Sequence, residues 1–160
     1  MSAQTQAVPS GAAERTVDFG ELPSYVGYQV RRAQVLIFSG LEATLKDFDL
    51  TPGSFGVLTL IRANPGITQV ALAAAFGIDK STMSPVIFRL ERRGLVRREV
   101  LASDRRRHAL FLAKSAETIY LAASANVRTF EAEVAARLTQ AEQRELARLL
   151  VKLQRRADAP

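Results

Sequence analysis

The sequence predicts a mainly α-helical chain with one small β-hairpin, a winged helix-turn-helix flanked by N- and C-terminal helices. Three observations predict it. Residues 67–112 carry two short helical patterns joined at a glycine and followed by two apolar strand-like runs. The basic surplus of the chain falls in the same stretch. Longer amphipathic patterns lie at both ends of the chain, around a segment that already has apolar residues enough for its own core.

Within 67–112, Thr68 is a suitable N-cap for a short helix carrying Val70, Leu72, Ala73 and Ala74. Gly77 can take the left-handed conformation that stops it. Asp79 then caps a second helix, whose apolar residues Met83, Val86, Ile87 and Leu90 recur at helical spacing. Gly94 ends that helix, and Leu95, Val96 and Val100 suggest a short strand. A second strand through His108, Leu110 and Leu112 returns antiparallel after a charged tip made of Ser103, Asp104, Arg105, Arg106 and Arg107. Two helices joined by a tight turn and followed by a basic hairpin fit the grooves of DNA.

Charge points the same way. Residues 79–114 hold ten Lys/Arg against four Asp/Glu, while the rest of the chain holds twelve of each. The net charge of +6 therefore sits in one segment, the electrostatic footprint of a polyanion partner. An isolated run of charges is more often a solvated face, but this one coincides with the helix-turn-helix and the hairpin.

On the N-terminal side, residues 1–21 are rich in Ala, Ser, Gly and Pro without periodicity and are expected to form a flexible tail. Pro23 and Ser24 look like the entry to a long helix whose stripe is Val26, Val30, Ala33, Ile37, Leu41 and Leu45, widened by Leu36 and Phe38. A helix apolar on more than one face needs more than one partner, and a second subunit is a natural source. Thr51 and Pro52 start a further helix with Phe55, Val57, Leu58 and Ile61, broken by Asn64, Pro65 and Gly66. Ile67 is placed to add a strand-like residue to the sheet. Beyond the hairpin, Ile119, Ala123, Val127, Phe130, Val134 and Leu138 mark a helix over 114–138. Thr139 to Glu142 is a capping-box sequence for a last helix with Leu146, Leu149, Leu150 and Leu153. The expected division is a tail at 1–21, dimerisation helices at 22–48 and 114–156, and a winged helix-turn-helix at 51–113.

Composition removes several classes. At 160 residues and 48% hydrophobic content the chain can bury a proper core. No apolar stretch approaches the ~20 residues that cross a bilayer, and the first residues lack a signal-peptide pattern, so a cytoplasmic protein without a membrane partner is expected. With no cysteine and one histidine, neither thiol chemistry nor a histidine-rich metal site is available, and no cofactor is expected. There is no glycine-rich phosphate loop, no H-E-x-x-H helix and no nucleophile set at recognisable spacing, so an enzyme is set aside. His108, beside three arginines, reads as a wing-strand or phosphate-contacting residue.

For DNA, the N-terminal half of the second helix faces base edges and would present Lys80, Ser81, Thr82 and Ser84. Hydroxyls are adaptable partners, and lysine pairs with guanine or phosphate. Pro85 removes the backbone hydrogen bond to the Ser81 carbonyl, which either opens the helix and turns those hydroxyls outward or only stiffens its start. Arg89 is the best placed of the later cations; Arg92 and Arg93 read equally as solvated or paired with Glu91 or Glu99. Thr68 and Gln69 could present a donor to a phosphate. In the wing, Asp104 is the one acid among bases and is expected to pair with a neighbouring arginine and fix the tip.

The segments RLERRGLVRRE and SDRRRHALFLA resemble the end of the recognition helix and the wing of the MarR (multiple antibiotic resistance regulator) family. TPGSFGVLTLIRANPGITQVALAAAFGIDKSTMS resembles the part just before, and the likeness extends over about residues 22–156. Two departures stand out, Ala113 and Ala116, where the pattern usually has Thr and Gly at the start of the next helix. The resemblance implies a dimeric winged-helix transcriptional regulator, usually a repressor released by a small ligand. Its D-x-R wing pattern matches Asp104 and Arg106, so that Arg105 or Arg106 would enter a narrow minor groove. It also implies an effector pocket to which Tyr28, Arg32, Phe38 and Phe55 could contribute an aromatic wall and a cation, suited to an aromatic carboxylate or its thioester. The segment YVGYQVRRAQ resembles members that sense phenolic acids or their coenzyme A esters. Each of the four residues reads first as ordinary core or dimer-interface packing. The expected partners are a double-stranded DNA operator, a second copy of the chain and a small aromatic acid or CoA thioester. The alternative is a structural DNA-binding protein of low specificity and without a ligand; an RNA-binding or protein-interaction winged helix is a third reading.

Overall fold

The computed structural model of the chain describes residues 17–101 and 104–154; of residues 101 and 104–107 it describes the backbone alone. The expected tail over 1–16 and residues 155 and 156 of the last helix lie outside the described residues. The chain divides into two compact units, Met1–Gln34 and Val35–Pro160, and the first long helix, α1 (Val26–Leu45), contributes to both.

In the first unit the described chain is ordered further out than the sequence suggests. Gly20 donates its backbone N–H to Asp18, and the Phe19 ring lies 6.4 Å from that of Tyr28. The helix expected to begin at Pro23 is first a single 3-10 turn, Leu22–Ser24. Tyr25 then turns extended, with ψ 125, so α1 starts only at Val26. Proline supplies the fixed φ that this first turn needs. The Tyr25 hydroxyl donates to Glu21 at 2.9 Å and Gln29 donates to the Pro23 carbonyl at 2.6 Å.

In the second unit α1 closes through a 3-10 turn, Lys46–Phe48, and Asp49 takes a left-handed conformation at φ 52. Aspartate is one of the few residues besides glycine that tolerates this region. Thr51 caps α2 (Pro52–Ala63) through a reciprocal box, its side chain accepting from the Ser54 N–H while the Ser54 hydroxyl accepts from the Thr51 N–H. The chain turns at Gly66, φ 87, into β1 (Ile67–Thr68). Then α3 (Gln69–Ala75) and α4 (Lys80–Arg92) follow, separated by the left-handed Gly77. β2 (Val96–Leu101) and β3 (Asp104–Leu112) form the hairpin, and β1 adds to the outer edge of β3, giving the antiparallel order β1-β3-β2. Ile67 thus brings Thr68 with it into the sheet, opposite Leu110 and Ala109.

After the hairpin come α5 (Ala116–Ala135) and α6 (Gln140–Gln154), the latter opened by the expected box of Thr139 and Glu142. The start of α5 is where the two alanines depart from the family pattern. Ser115 occupies the cap without capping and donates its hydroxyl to the Gly94 carbonyl at 3.2 Å instead. Ala116 is fully buried, so its methyl fills core space at the junction.

One core joins these elements. Leu45, Leu58, Ile61, Leu72, Met83, Ile87, Leu90 and Leu110 are essentially inaccessible, and Ala116, Tyr120 and Ala123 of α5 belong to the same cluster. The first half of α5 is therefore core of the winged unit, in addition to whatever the helix does for assembly. Gly40 of α1 lies so close to Phe130 of α5 that a Cβ there would collide with the ring. By contrast α6 buries no residue, and its Leu146, Leu149, Val151 and Leu153 remain exposed.

Two substitutions in α2 should separate core from cap. Leu58→Ala, in a fully buried site, should cost roughly 2–5 kcal/mol through lost transfer energy and a cavity. Thr51→Ala removes half of the capping box and should cost about 0.5–2 kcal/mol. Denaturant unfolding of both variants beside the parent checks the order, and an equal loss would mean that α2 is not anchored by its core face.

Candidate nucleic-acid interface

The orientation of α4 follows from its apolar face. Met83, Ile87 and Leu90 are buried, so the line opposite them carries Ser81, Pro85, Phe88 and Arg92, and all four are exposed. Thr82 and Arg89 flank that line in the open, Lys80 is exposed at the first position of the helix, and Ser84 is half-buried. The structure thus brings Ser81, Thr82 and Arg89 onto one outer surface, with Lys80 exposed at the start of the helix.

Asp79 holds the first turn of that surface. Its carboxylate accepts from the Thr82 N–H at 2.7 Å, from the Thr82 hydroxyl at 3.1 Å and from the Ser81 hydroxyl. These bonds, that from the Ser81 hydroxyl foremost, hold the Asp79 carboxyl down to about 2. With their protons engaged by Asp79, the Ser81 and Thr82 hydroxyls can take a further hydrogen bond only as acceptors. α4 runs unbroken across Pro85, and the hydroxyls are drawn to Asp79, so the outward turn considered for an opened helix does not occur.

Gln69 has a different role from the one expected. Its side-chain amide donates to the Lys80 carbonyl at 3.1 Å and to the Ser84 hydroxyl, which itself donates to the Lys80 carbonyl at 2.8 Å. Both amide protons are spent tying α3 to the first turn of α4, which leaves none for a phosphate. Thr68 accepts from the Ala71 N–H as the cap of α3. Arg93 is also corrected: it pairs with Asp49 and donates to the carbonyls of Phe48 and Asp49, rather than to Glu91 or Glu99. Glu91 instead takes a two-pronged contact from Arg98, at 2.8 and 2.9 Å, and Glu99 pairs with Arg97. Arg92 lies over the Phe88 ring at 5.9 Å.

The wing is longer and its tip shorter than the sequence suggests. Val100 pairs with His108 and Leu101 with Asp104, so the register shifts between them and residues 105–107 have no opposite number. Asp104, Arg105, Arg106 and Arg107 therefore belong to β3 rather than to the connecting tip. A bulge of this kind bends a strand and re-aims its side chains. The side chains of these four residues, and with them the expected Asp104 ion pair, lie outside the described residues. His108 has a buried Nδ1 without a hydrogen-bond partner among the described residues.

Of the residues expected to meet a small molecule, Tyr28 and Arg32 come together in the first unit, the guanidinium 5.9 Å from the ring centre. In the second unit Phe38 is exposed, and Phe55 stacks on Tyr120 with centroids 5.7 Å apart at 10°. Sequence reading missed two features. Arg62 bridges to Glu117 at 2.8 Å and lies over Tyr120 at 5.1 Å, linking α2 to α5; the partners are 55 residues apart, beyond any local pattern. Hydrogen bonding to Glu117 raises the Arg62 pKa above its ordinary value. Phe88 is the other, and its signal was present: an apolar residue on the polar line of an otherwise amphipathic helix.

The Asp79 carboxyl gives a direct test of the first turn. Its folded pKa is depressed, so the cap is fully present above the ordinary carboxylate pKa of about 4 and is lost as pH falls toward about 2. An NMR titration should place Asp79 near 2, and Asp79→Asn should flatten the stability-versus-pH curve in that window. A titration at the ordinary value would remove the cap network.

Known proteins share this arrangement. A family model described as MarR matches residues 50–108. A protein of Thauera aromatica named as transcriptional regulatory protein for the hcr operon is 33% identical over 137 residues, 85% of this chain and 82% of that one. Among solved structures, the transcriptional repressor CouR bound to a 23-mer DNA duplex superposes with a TM-score of 0.83 at 32% identity, over 88% of this chain and 99% of CouR. CouR bound to p-coumaroyl-CoA gives 0.81 at 29% identity, with the same coverage of 88% and 99%. The Mycobacterium tuberculosis protein Rv2887 in complex with salicylic acid gives 0.63 at 31% identity, over 81% of this chain and 96% of Rv2887. Helix-turn-helix, three-stranded wing and flanking helices together with these matches place the chain in the MarR family of transcriptional regulators.

Proposed function

We propose that this chain is a dimeric repressor of a pseudo-palindromic DNA operator, released by a small aromatic acid or its coenzyme A thioester. The observation that carries the DNA reading is the orientation of α4. Its buried Met83, Ile87 and Leu90 turn Ser81, Thr82 and Arg89 outward together, and Lys80 is exposed at the start of the helix. Lys80 suits a phosphate or a guanine, the two hydroxyls read base edges, and Ser84 sits at the inner margin of that surface. The wing strand, with Asp104, Arg105, Arg106 and Arg107, supplies the minor-groove and backbone contacts, and Thr68 lies at the start of α3. The DNA-bound state of CouR supports this reading.

Dimerisation accounts for the apolar surface that one copy leaves uncovered, on α6 and on Val35, Leu36 and Phe38 of α1. Two copies related by a two-fold axis place their recognition helices about one turn of DNA apart, roughly 34 Å. For the effector, CouR with p-coumaroyl-CoA and Rv2887 with salicylic acid support an aromatic acid or thioester. In this chain Arg32 is the group assigned to the anion, since guanidinium and carboxylate pair in a forked geometry, and Tyr28 stands beside it as a ring for stacking. Release requires only that the ligand bind the DNA-incompetent arrangement better than the competent one.

The DNA half of the reading is tested by changing Arg105 and Arg106 together to Ala. Binding should weaken, and the slope of log affinity against log salt should fall by about 0.9 for each phosphate no longer neutralised. Parent-like binding by the double variant would show that the wing does not touch DNA. The effector half is tested by Arg32→Ala, titrated on operator DNA with salicylate and with p-coumaroyl-CoA. The variant should remain a dimer in light scattering, keep its DNA affinity and lose release. A monomeric variant would make Arg32 an assembly residue, and a parent unmoved by both compounds would end the proposed ligand class.

A further inference from the structure

We propose that Phe88 reads thymine methyl groups in the major groove and is a specificity-determining residue of the recognition helix; this rests on the operator-binding reading above. Phe88 is 57% exposed on a helix whose other outward residues include Lys80, Ser81, Thr82, Arg89 and Arg92. The buried trio Met83, Ile87 and Leu90 fixes the rotation of α4, so Phe88 cannot reach the core without exposing them. Its side chain extends toward the turn N-terminal to its own Cα, as long helical side chains do, and so toward Pro85 and the half of the helix that meets base edges. Pro85, exposed on the same line, adds ring carbons to one apolar spot between Ser81 and Arg92.

The surroundings of that spot select its occupant. Arg92 lies over the ring and Arg89 is exposed beside it, so an apolar protein partner would have to desolvate cations that a polyanion would pair. Within the major groove the apolar group offered by a base edge is the C5-methyl of thymine. Covering one methyl-sized group stabilises by ~0.8 kcal/mol, which is about fourfold in affinity.

The full-length chain first selects its preferred duplexes from a random-sequence pool. Each thymine of a selected half-site is then replaced by deoxyuridine, which removes the methyl and keeps every hydrogen-bonding group. For the parent, the substitution should weaken binding about fourfold at the thymine under Phe88 and leave the other positions unchanged. For Phe88→Ala, checked for a parent-like melting curve, thymine and deoxyuridine duplexes should bind alike. The parent titrations test the contact without any variant, should Phe88→Ala fail to fold. Selected duplexes that bind equally with and without their methyl groups would overturn the role of Phe88 while leaving the repressor reading intact. A methyl effect of the same size in Phe88→Ala would assign it to another residue. A pool without enrichment would overturn both.

Discussion

Burial of one face of α4 is the constraint on which the candidate interface depends. Met83, Ile87 and Leu90 share a cluster with Leu58, Ile61, Leu72 and Leu110, so the helix is gripped by α2, α3 and the sheet at once. A close-packed core does not let such a helix rotate by a fraction of a turn, because every methylene has a fitted neighbour. Asp79 at one end and Arg93 at the other add polar anchors, and Gln69 ties the first turn of the helix back to α3. A recognition surface fixed in this way has little side-chain and backbone freedom left to lose when it meets a ligand.

Acidic residues sort the basic ones of this segment. Arg97 and Arg98 of β2 are paired with Glu99 and Glu91, and Arg93 with Asp49, whereas Lys80 and Arg89 project outward from α4. Exposed pairs of this kind contribute little to stability. Their consequence is directional: these three arginines are committed within the fold, whereas Lys80 and Arg89 face solvent. Net charge counted along the sequence located the segment, and only the pairing shows which of its cations face outward.

The elements were legible where local chemistry decides them. Thr51, Thr68 and Asp79 cap as their side chains allow, Gly77 and Gly94 take positive φ, and the apolar spacing of α4 identifies its buried face. What was not legible depends on distance along the chain or on competition between local options. The Arg93 anchor reaches 44 residues back to Asp49. Gln69 could serve a phosphate or a neighbouring carbonyl, and its sequence position cannot rank the two. The register shift at Val100 moved residues 104–107 from tip to strand, since runs of arginine carry no pattern that fixes pairing. The apolar stripe of α5 was visible, but which part of it serves the core and which part stays outside was decided by Ala116, Tyr120 and Ala123 fitting beneath α2 and the sheet.

That division of α5 bears on how a signal could move through the winged unit. Its first turns are core, its Tyr120 ring is stacked on Phe55, and Glu117 is held by Arg62, whereas no residue of the helix beyond Ser124 is buried. A helix of 20 residues transmits displacement along its axis because its backbone hydrogen bonds resist bending. Motion of its outer part must therefore be absorbed where Phe55, Tyr120 and Arg62 meet or passed on to α2, which packs against α4. Packed side chains yield in steps rather than continuously, so a small shift either leaves the recognition helix where it is or moves it as a unit with α2. The effector release proposed above needs that behaviour: a ligand has to favour a second discrete arrangement, and the stack between α2 and α5 is the interaction such an arrangement would have to remake.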